Sequence, residues 1–150
     1  MRAEARHTEG YAFEAQFGDH KFFMDALPPL GTNKGPSPKQ VLLASILGCT
    51  GMDVVGLLRK HKVAYKALNL AAESETTDKH PKTFRQVDVT FELTGDGLAQ
   101  DKIIESIDLS MTKYCGVSAM VTKAAPIFYT VSINGEIVHR AQARFPDANS

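Results

Sequence analysis

The chain has 150 residues and carries 17 Lys and Arg against 17 Asp and Glu, so its formal net charge is zero. This length is sufficient for one domain with its own apolar core. The balanced charge, with no basic run longer than RKHK at residues 59–62, argues against a nucleic-acid-binding protein. We predict a single domain over residues 1–140 and a flexible polar tail over residues 141–150.

The sequence also indicates a cytoplasmic protein that does not associate with membranes. The first ten residues, MRAEARHTEG, are charged where a signal peptide has an apolar core. The longest apolar stretch, from Val41 to Leu47, is too short to span a bilayer. In a reducing compartment we expect both cysteines to be thiols, and a disulfide between them would be transient or catalytic.

The first sixty residues predict three strands and one long helix. Alternating apolar residues, interrupted at Gly10 and Gly18, indicate three short antiparallel strands within residues 1–25. After a loop rich in proline and glycine, Ser37 is a good N-cap and Pro38 a good first helical residue. The helix that follows, to about Lys60, is apolar on nearly every side, which is typical of a helix buried all round.

The remaining residues predict three strands and two helices. Alternation over 66–76 and 84–94 indicates two strands, helical spacing over 99–113 indicates a helix, and residues 126–134 indicate a last strand. A short helix is expected near Cys115. Strands and helices grouped in this way predict an α+β fold, with an antiparallel sheet and a long buried central helix.

Cys49 lies in the middle of the long helix, among apolar neighbours. A buried cysteine is most often a small and inert core residue, because burial raises the thiol pKa. Asp53 stands one helical turn further on, on the same side of the helix. A carboxylate on an apolar helix needs a partner, so Asp53 marks either a polar pocket or an interface.

Cys115 has a different context, because the run GVSAMV that follows it could open a helix. A helix N-terminus stabilises a thiolate, whereas a helix–helix corner would need only a small residue there. Neither cysteine has a second cysteine or a histidine two to four residues away. We therefore predict no metal site and no bound cofactor.

The stretch PSPKQVLLASILGCTGMDVV, followed later in the chain by KYCGVSAMV, resembles the family of osmotically inducible protein C (OsmC) and the organic hydroperoxide resistance protein (Ohr). The resemblance covers about residues 1–136, and the C-x-x-x-D-V-V pattern from Cys49 to Val55 is similar to one OsmC-like subgroup. It implies an intertwined homodimer with the central helices at the subunit interface. It also implies a thiol peroxidase in which Cys49 becomes a sulfenic acid, Cys115 forms a disulfide with it, and an external dithiol, such as a lipoyl group, reduces that disulfide.

The residues that activate the first cysteine in this family differ here. The family has a glutamate ten residues before that cysteine, where this chain has Lys39. The family's arginine position falls on Thr8, with Arg6 and His7 as the nearest substitutes. Arg6, His7 and Lys39 are therefore candidate activators, and Asp53 is a candidate pocket residue.

Three functions are consistent with these residues. The first is a thiol peroxidase that reduces organic hydroperoxides or hydrogen peroxide through Cys49 and Cys115. The second is a non-catalytic OsmC-like dimer that binds a small apolar ligand at the interface. The third is a redox sensor, in which a disulfide between the two cysteines alters a partner-binding surface.

Overall fold

The computed structural model describes residues 1–146, which form two compact units, Met1–Leu43 and the residues from Ala44 onward. The single domain over residues 1–140 stays a prediction. The last four residues of the predicted tail, 147–150, lie outside the described part of the chain.

The first unit contains a three-stranded antiparallel sheet, which confirms the three strands expected before residue 25. Its strands are adjacent in chain order: β1 (Glu4–Glu9), β2 (Ala12–Phe17) and β3 (His20–Met24). Gly10 and Gly18 lie in the two hairpin turns with φ of 51° and 59°. Glycine adopts this left-handed conformation without the steric cost that a Cβ would bring.

The loop after β3 is organised around a buried carboxylate. Asp25 is 2% exposed and accepts hydrogen bonds from the backbone N–H groups of Ala26, Thr32 and Lys34. The Thr32 hydroxyl donates a fourth bond to the same side chain at 2.9 Å. Because hydrogen bonds to the ionised form favour it, they hold the pKa of Asp25 below its usual range, with the Lys34 N–H contributing most.

Helix α1 (Pro38–Lys60) begins where the sequence predicts it. The backbone N–H of Gln40 contacts the Ser37 hydroxyl at 3.4 Å, and the Gln40 side-chain oxygen accepts from the Ser37 N–H at 2.8 Å. This reciprocal pair is a capping box, which satisfies two N–H groups that the helix leaves unpaired. The predicted N-cap at Ser37 is therefore confirmed.

The expectation that α1 is buried on every side is wrong for the single chain. Its buried residues form one stripe at four-residue spacing: Ile46, Thr50, Val54 and Leu58. Leu42 and Met52 are 39% and 74% exposed, although both are large and apolar. By length and composition alone this helix could cross a membrane, although the apolar stretch from Val41 to Leu47 by itself is too short to do so. The core helices of soluble proteins pass the same test.

The second unit is built on a four-stranded mixed sheet. The strands are adjacent in chain order: β4 (Ala67–Glu73), β5 (Val87–Thr94), β6 (Ile127–Ile133) and β7 (Glu136–Gln142). The β5–β6 pair is parallel, so the expected antiparallel arrangement holds for the other pairs but not for this one. Parallel neighbours need a long crossover connection, which here contains helices α2 (Gln100–Leu109) and α3 (Gly116–Val121).

Strand β7 was not predicted from the sequence. Asn134 and Gly135 form its hairpin turn, with φ of 52° and 85°. An Asn-Gly pair between alternating residues is a strong hairpin signal, so the sequence did contain the information. Residues 141 and 142 belong to this strand and not to a tail.

The core of the second unit lies between the sheet, the crossover helices and α1. The apolar face of β5 predicted from sequence is completely buried there, together with residues of β6 and α2: Val87, Val89, Phe91, Leu93, Ile103, Ile107, Ile127 and Val131. Burial of a side chain of this size contributes about 1.5–3 kcal/mol. This core holds α1 and the crossover helices, which carry the two cysteines.

Candidate functional site

Cys49, Asp53 and Cys115 come together in the second unit. The two sulfur atoms and a carboxylate oxygen of Asp53 all lie within 4.8 Å of one another. Both cysteines are thiols in this structure. Cys49 and Asp53 are one turn apart on α1, whereas Cys115 lies immediately before α3. The fold therefore brings together Cys49, Asp53 and Cys115, all of which were candidate site residues from the sequence.

A short π-helical turn, Ser110–Tyr114, joins α2 to Cys115 and positions a serine at the site. The Cys115 N–H donates to the Ser110 carbonyl at 3.0 Å across this wider turn. The Ser110 hydroxyl donates to Asp53 Oδ2 at 2.9 Å and lies 2.7 Å from the Thr50 hydroxyl. The single Ser110 proton goes to the carboxylate, so the short contact with Ser110 uses the Thr50 proton, and Thr50 also lies within 3.4 Å of the weaker acceptor Met111 Sδ. The chain of hydroxyls therefore ends on Asp53.

Cys115 is the N-cap of α3, as expected, and its sulfur accepts from the Ser118 N–H at 3.3 Å. Of the two interpretations left open for this position, the structure does not favour a stabilised thiolate. Cys115 is completely buried, and burial raises the pKa of its thiol to about 11. Burial has the largest effect, the neighbouring Cys49 also raises this pKa, and the Ser118 contacts lower it by less.

The Ser118 side chain has no hydrogen bond in the part of the chain that the structure describes. Its hydroxyl is completely buried, although it is close enough to Cys115 to lower the pKa of that thiol. A buried polar group without a partner is uncommon and costs about 1–3 kcal/mol. This hydroxyl is therefore available to donate to a charged group that forms at Cys115.

Cys49 differs from Cys115 in accessibility. Its side chain is partly exposed, whereas Cys115 is completely buried. A reagent from solution can reach Cys49 first. Cys115 can then react with the modified Cys49, because the two sulfur atoms lie within 4.8 Å of each other.

The candidate activators Arg6 and His7 have their described contacts within the first sheet. Arg6 forms an ion pair with Glu14 at 3.5 Å. The His7 ring lies 3.1 Å from the Gly10 carbonyl oxygen and packs at 5.4 Å, between ring centroids, from Phe13. Both residues belong to the first unit, so their role at Cys49 stays a prediction.

Lys39, the third candidate activator, lies in the first turn of α1 and lines an open groove of the first unit. The groove has a volume of about 790 Å³. Its walls are mostly apolar and include Tyr11, Phe13, Met24, Leu27 and Leu30. A groove of this size and composition suits a small apolar ligand.

Three hydroxyl groups of the site were not predicted from the sequence: Thr50, Ser110 and Ser118. Thr50 follows Cys49 directly on an otherwise apolar stretch, and Ser110 and Ser118 flank Cys115. Thr50 was the one available signal, because a hydroxyl on a buried helix needs a partner. Nothing local identified that partner as Ser110.

A second polar cluster joins α2 to the sheet. Asp108 Oδ1 accepts from the Tyr129 hydroxyl at 2.6 Å and lies 3.0 Å from His139 Nε2. Burial, together with the Asp108 carboxylate, raises the pKa of Tyr129 well above its usual range. Asp108 stands two residues before Ser110, so the cluster fixes the end of α2 from which the π-helical turn begins.

The protein is thus an α+β protein with two neighbouring cysteines. One cysteine lies on the long helix α1, and the other lies immediately before the short helix α3. The sequence profile described as OsmC-like protein matches residues 31–130 of this chain. The chain belongs to the OsmC-like protein family.

Relatives and solved structures agree with this assignment. Protein YhfA of Escherichia coli (strain K12) is 29% identical over 134 residues, which are 89% of this chain and 98% of that protein. The OsmC-like protein from Mycoplasma pneumoniae has a TM-score of 0.77 at 17% identity, over 88% of this chain and 95% of that one. An organic hydroperoxide resistance protein OsmC from Legionella pneumophila has a TM-score of 0.60 at 18% identity, over 88% of this chain and 94% of that one. At such identities the two structures show a shared fold.

Proposed function

We propose that this protein is a thiol peroxidase that reduces organic hydroperoxides, with Cys49 as the nucleophile and Cys115 as the resolving thiol. The observation that carries the proposal is the approach of the two sulfur atoms to within 4.8 Å. The likeness to organic hydroperoxide resistance proteins supports it. The difference in accessibility supports the order of the roles, because substrate can reach the partly exposed Cys49 but not the buried Cys115.

In the first step the Cys49 thiolate attacks one peroxide oxygen and the O–O bond breaks. The alcohol leaves with a proton, and Cys49 becomes a sulfenic acid. In the second step Cys115 attacks the Cys49 sulfur, the S–O bond breaks, and water leaves with the thiol proton of Cys115. An external dithiol then reduces the disulfide and is itself oxidised, and a lipoyl group is a suitable reductant by the family resemblance.

Asp53 is our candidate for the proton acceptor at Cys49. Its carboxylate oxygen lies within 4.8 Å of the Cys49 sulfur, a distance that one bridging water spans, so it can take the thiol proton through that water. The Ser110 hydroxyl holds the carboxylate in place, so the acceptor is oriented before substrate arrives. A carboxylate alone disfavours a nearby thiolate, so the cation predicted among Arg6, His7 and Lys39 remains part of the proposal.

The test is hydroperoxide consumption by the full chain with dihydrolipoamide as the reductant. We expect Cys49→Ser to abolish consumption. Without the dithiol, we expect Cys115→Ser to react once with cumene hydroperoxide and to keep Cys49 as a sulfenic acid that dimedone traps. Equal consumption by the wild type and by Cys49→Ser would remove the proposal.

We also propose that the protein is a homodimer located in the cytoplasm. An apolar helix with Leu42 and Met52 exposed in one chain is accounted for if a second copy covers it. Met52→Asp should then shift the mass measured by light scattering from two chains to one, whereas Met52→Leu should not. A wild-type mass of one chain at micromolar concentration would contradict the dimer.

A second candidate function is the non-catalytic binding of a small apolar ligand. The apolar groove lined by Tyr11, Phe13 and Leu30 favours it. The two functions differ in the reactivity of Cys49. In a non-catalytic binder its alkylation by iodoacetamide would follow the pH dependence of an ordinary thiol, with a pKa of about 8.5, whereas a peroxidase needs a more reactive thiolate at neutral pH.

The redox sensor remains the third possibility, and it requires the same disulfide without turnover.

A further inference from the structure

We propose that Cys49, Asp53 and Cys115, with both cysteines reduced, form a binding site for one Zn²⁺ ion. The donor atoms are two sulfurs and one carboxylate oxygen, which already lie within 4.8 Å of one another. They come from two separate parts of the second unit, α1 and the residue before α3. This inference goes beyond the proposed peroxidase and concerns a different occupant of the same residues.

The donor set matches the preferences of zinc. Zn²⁺ binds cysteine sulfur at about 2.3 Å and carboxylate oxygen at about 2.0–2.2 Å, in a tetrahedron whose ligand atoms are then roughly 3.5–3.8 Å apart. Side-chain rotations that close the present separations by about 1 Å produce this geometry. Three protein ligands leave the fourth position of the tetrahedron for water, as they do in catalytic zinc sites.

The groups around the donors are those that a metal site requires. The Thr50 and Ser110 hydroxyls form a chain that ends on Asp53 Oδ2, which fixes the orientation of that carboxylate. Ser118 adds its backbone N–H to Cys115 and has a buried hydroxyl without a described partner. A thiolate accepts hydrogen bonds better than a thiol does, so a metal-bound Cys115 would give this hydroxyl its partner.

The charge balance also favours a divalent cation. When Zn²⁺ binds, the two thiols release their protons to solvent, so a doubly charged ion replaces two single positive charges. The site then keeps the net charge of minus one that the Asp53 carboxylate gives it with both thiols protonated. Asp53 accepts from the Ser110 hydroxyl, and Cys115 accepts from the Ser118 backbone N–H.

The first experiment measures metal binding to the full chain, reduced and stripped with a chelator that is then removed. We expect one Zn²⁺ per chain in a competition titration, and Co²⁺ in its place should give thiolate-to-metal charge-transfer absorption. Cys49→Ser and Cys115→Ser should each weaken binding by more than about 100-fold, which exceeds the usual loss for an outer-shell partner. Asp53→Asn should weaken it at least tenfold, while Asp88→Asn, which removes an exposed carboxylate of β5, should not.

The second experiment uses the wild-type protein alone and so does not depend on whether a variant folds. Zn²⁺ should protect Cys49 from iodoacetamide, and a chelator should restore its alkylation. Alkylation unaffected by Zn²⁺ would overturn the zinc site. In the titration of the first experiment, a wild-type affinity no tighter than that of the Cys49→Ser, Cys115→Ser double variant would do the same. Hydroperoxide consumption measured in excess chelator tests the peroxidase separately, so either proposal can fail without the other.

Discussion

The sulfur atoms of Cys49 and Cys115 lie within 4.8 Å of each other, although two strands and a helix separate them in the chain. A disulfide bond is about 2.05 Å long. Closing the gap therefore needs a movement of no more than about 3 Å, shared between two side chains. Cys49 lies within a long helix, whereas Cys115 lies at the junction of two short helical segments.

The first prediction follows from this distance. One equivalent of cumene hydroperoxide should produce an intramolecular bond between the two cysteines, seen in non-reducing mass spectrometry as the loss of two hydrogens and one linked peptide pair. Cys115→Ser is the matched control and should show added oxygen on Cys49 instead. Peptides linked between chains, or no linkage, would contradict the resolving role of Cys115.

The second prediction compares two buried serines. Ser110 bonds to Asp53 and Thr50, whereas Ser118 Oγ has no described partner, and both side chains are completely buried. Ser110→Ala should lower the free energy of unfolding by about 1–3 kcal/mol, because it leaves buried polar groups unpaired. Ser118→Ala should be neutral or stabilising. Urea unfolding of the reduced, metal-free proteins measures both, and equal effects would show that the hydroxyl chain is not important for stability.

The third prediction concerns alkaline pH and Tyr129. Burial and Asp108 raise the pKa of this phenol in the folded state, so the unfolded chain loses its proton first. Stability from this group is thus complete below about pH 10 and falls above it, with a slope of up to about 1.4 kcal/mol per pH unit. Tyr129→Phe should reduce that slope and lower stability at neutral pH by about 1 kcal/mol.

Tyr114→Phe is the control for this measurement, because the Tyr114 side chain is 49% exposed. Its removal should leave the alkaline slope of the unfolding free energy unchanged. If the unfolding free energies of Tyr129→Phe, Tyr114→Phe and the wild type all fall with the same slope at alkaline pH, the Tyr129 hydroxyl does not form the buried hydrogen bond to Asp108.

The fourth prediction concerns acidic pH and Asp25. Hydrogen bonds, first from the Lys34 N–H, lower the pKa of this carboxyl in the folded state. Its contribution to stability is therefore present above the ordinary aspartate pKa of about 3.9 and is lost as the pH falls through the lower folded value. Asp25→Asn should destabilise the protein at pH 6 and flatten the acidic part of its stability profile. Asp19→Asn, at an exposed turn, should do neither.

Local patterns predicted most of the elements because short-range forces define them. The capping box at Ser37 and Gln40, the alternation of β5 and the glycine turns of the first sheet all depend on residues close in sequence. The missed strand β7 had such a signal too, in Asn134 and Gly135. The parallel β5–β6 pair had none, because alternation is the same whichever direction the neighbouring strand runs.

The burial of α1 could not be predicted from its composition. Apolar residues on every side show that each side avoids water, but they do not show which surface covers each one. In the single chain the core covers the stripe that contains Ile46 and Val54 and leaves Met52 exposed. Composition therefore predicted the helix correctly and its packing incorrectly.

By itself the sequence determined the family, the long capped helix and the two cysteines with their neighbours, because these are properties of contiguous residues. Only the tertiary structure decided that Cys49, Asp53 and Cys115 meet, that Ser110 orients the carboxylate, and that burial raises the pKa of Cys115 to about 11. The physical reason is that donor distances and desolvation depend on how distant elements pack, and packing sums many weak contacts that no short stretch of sequence contains.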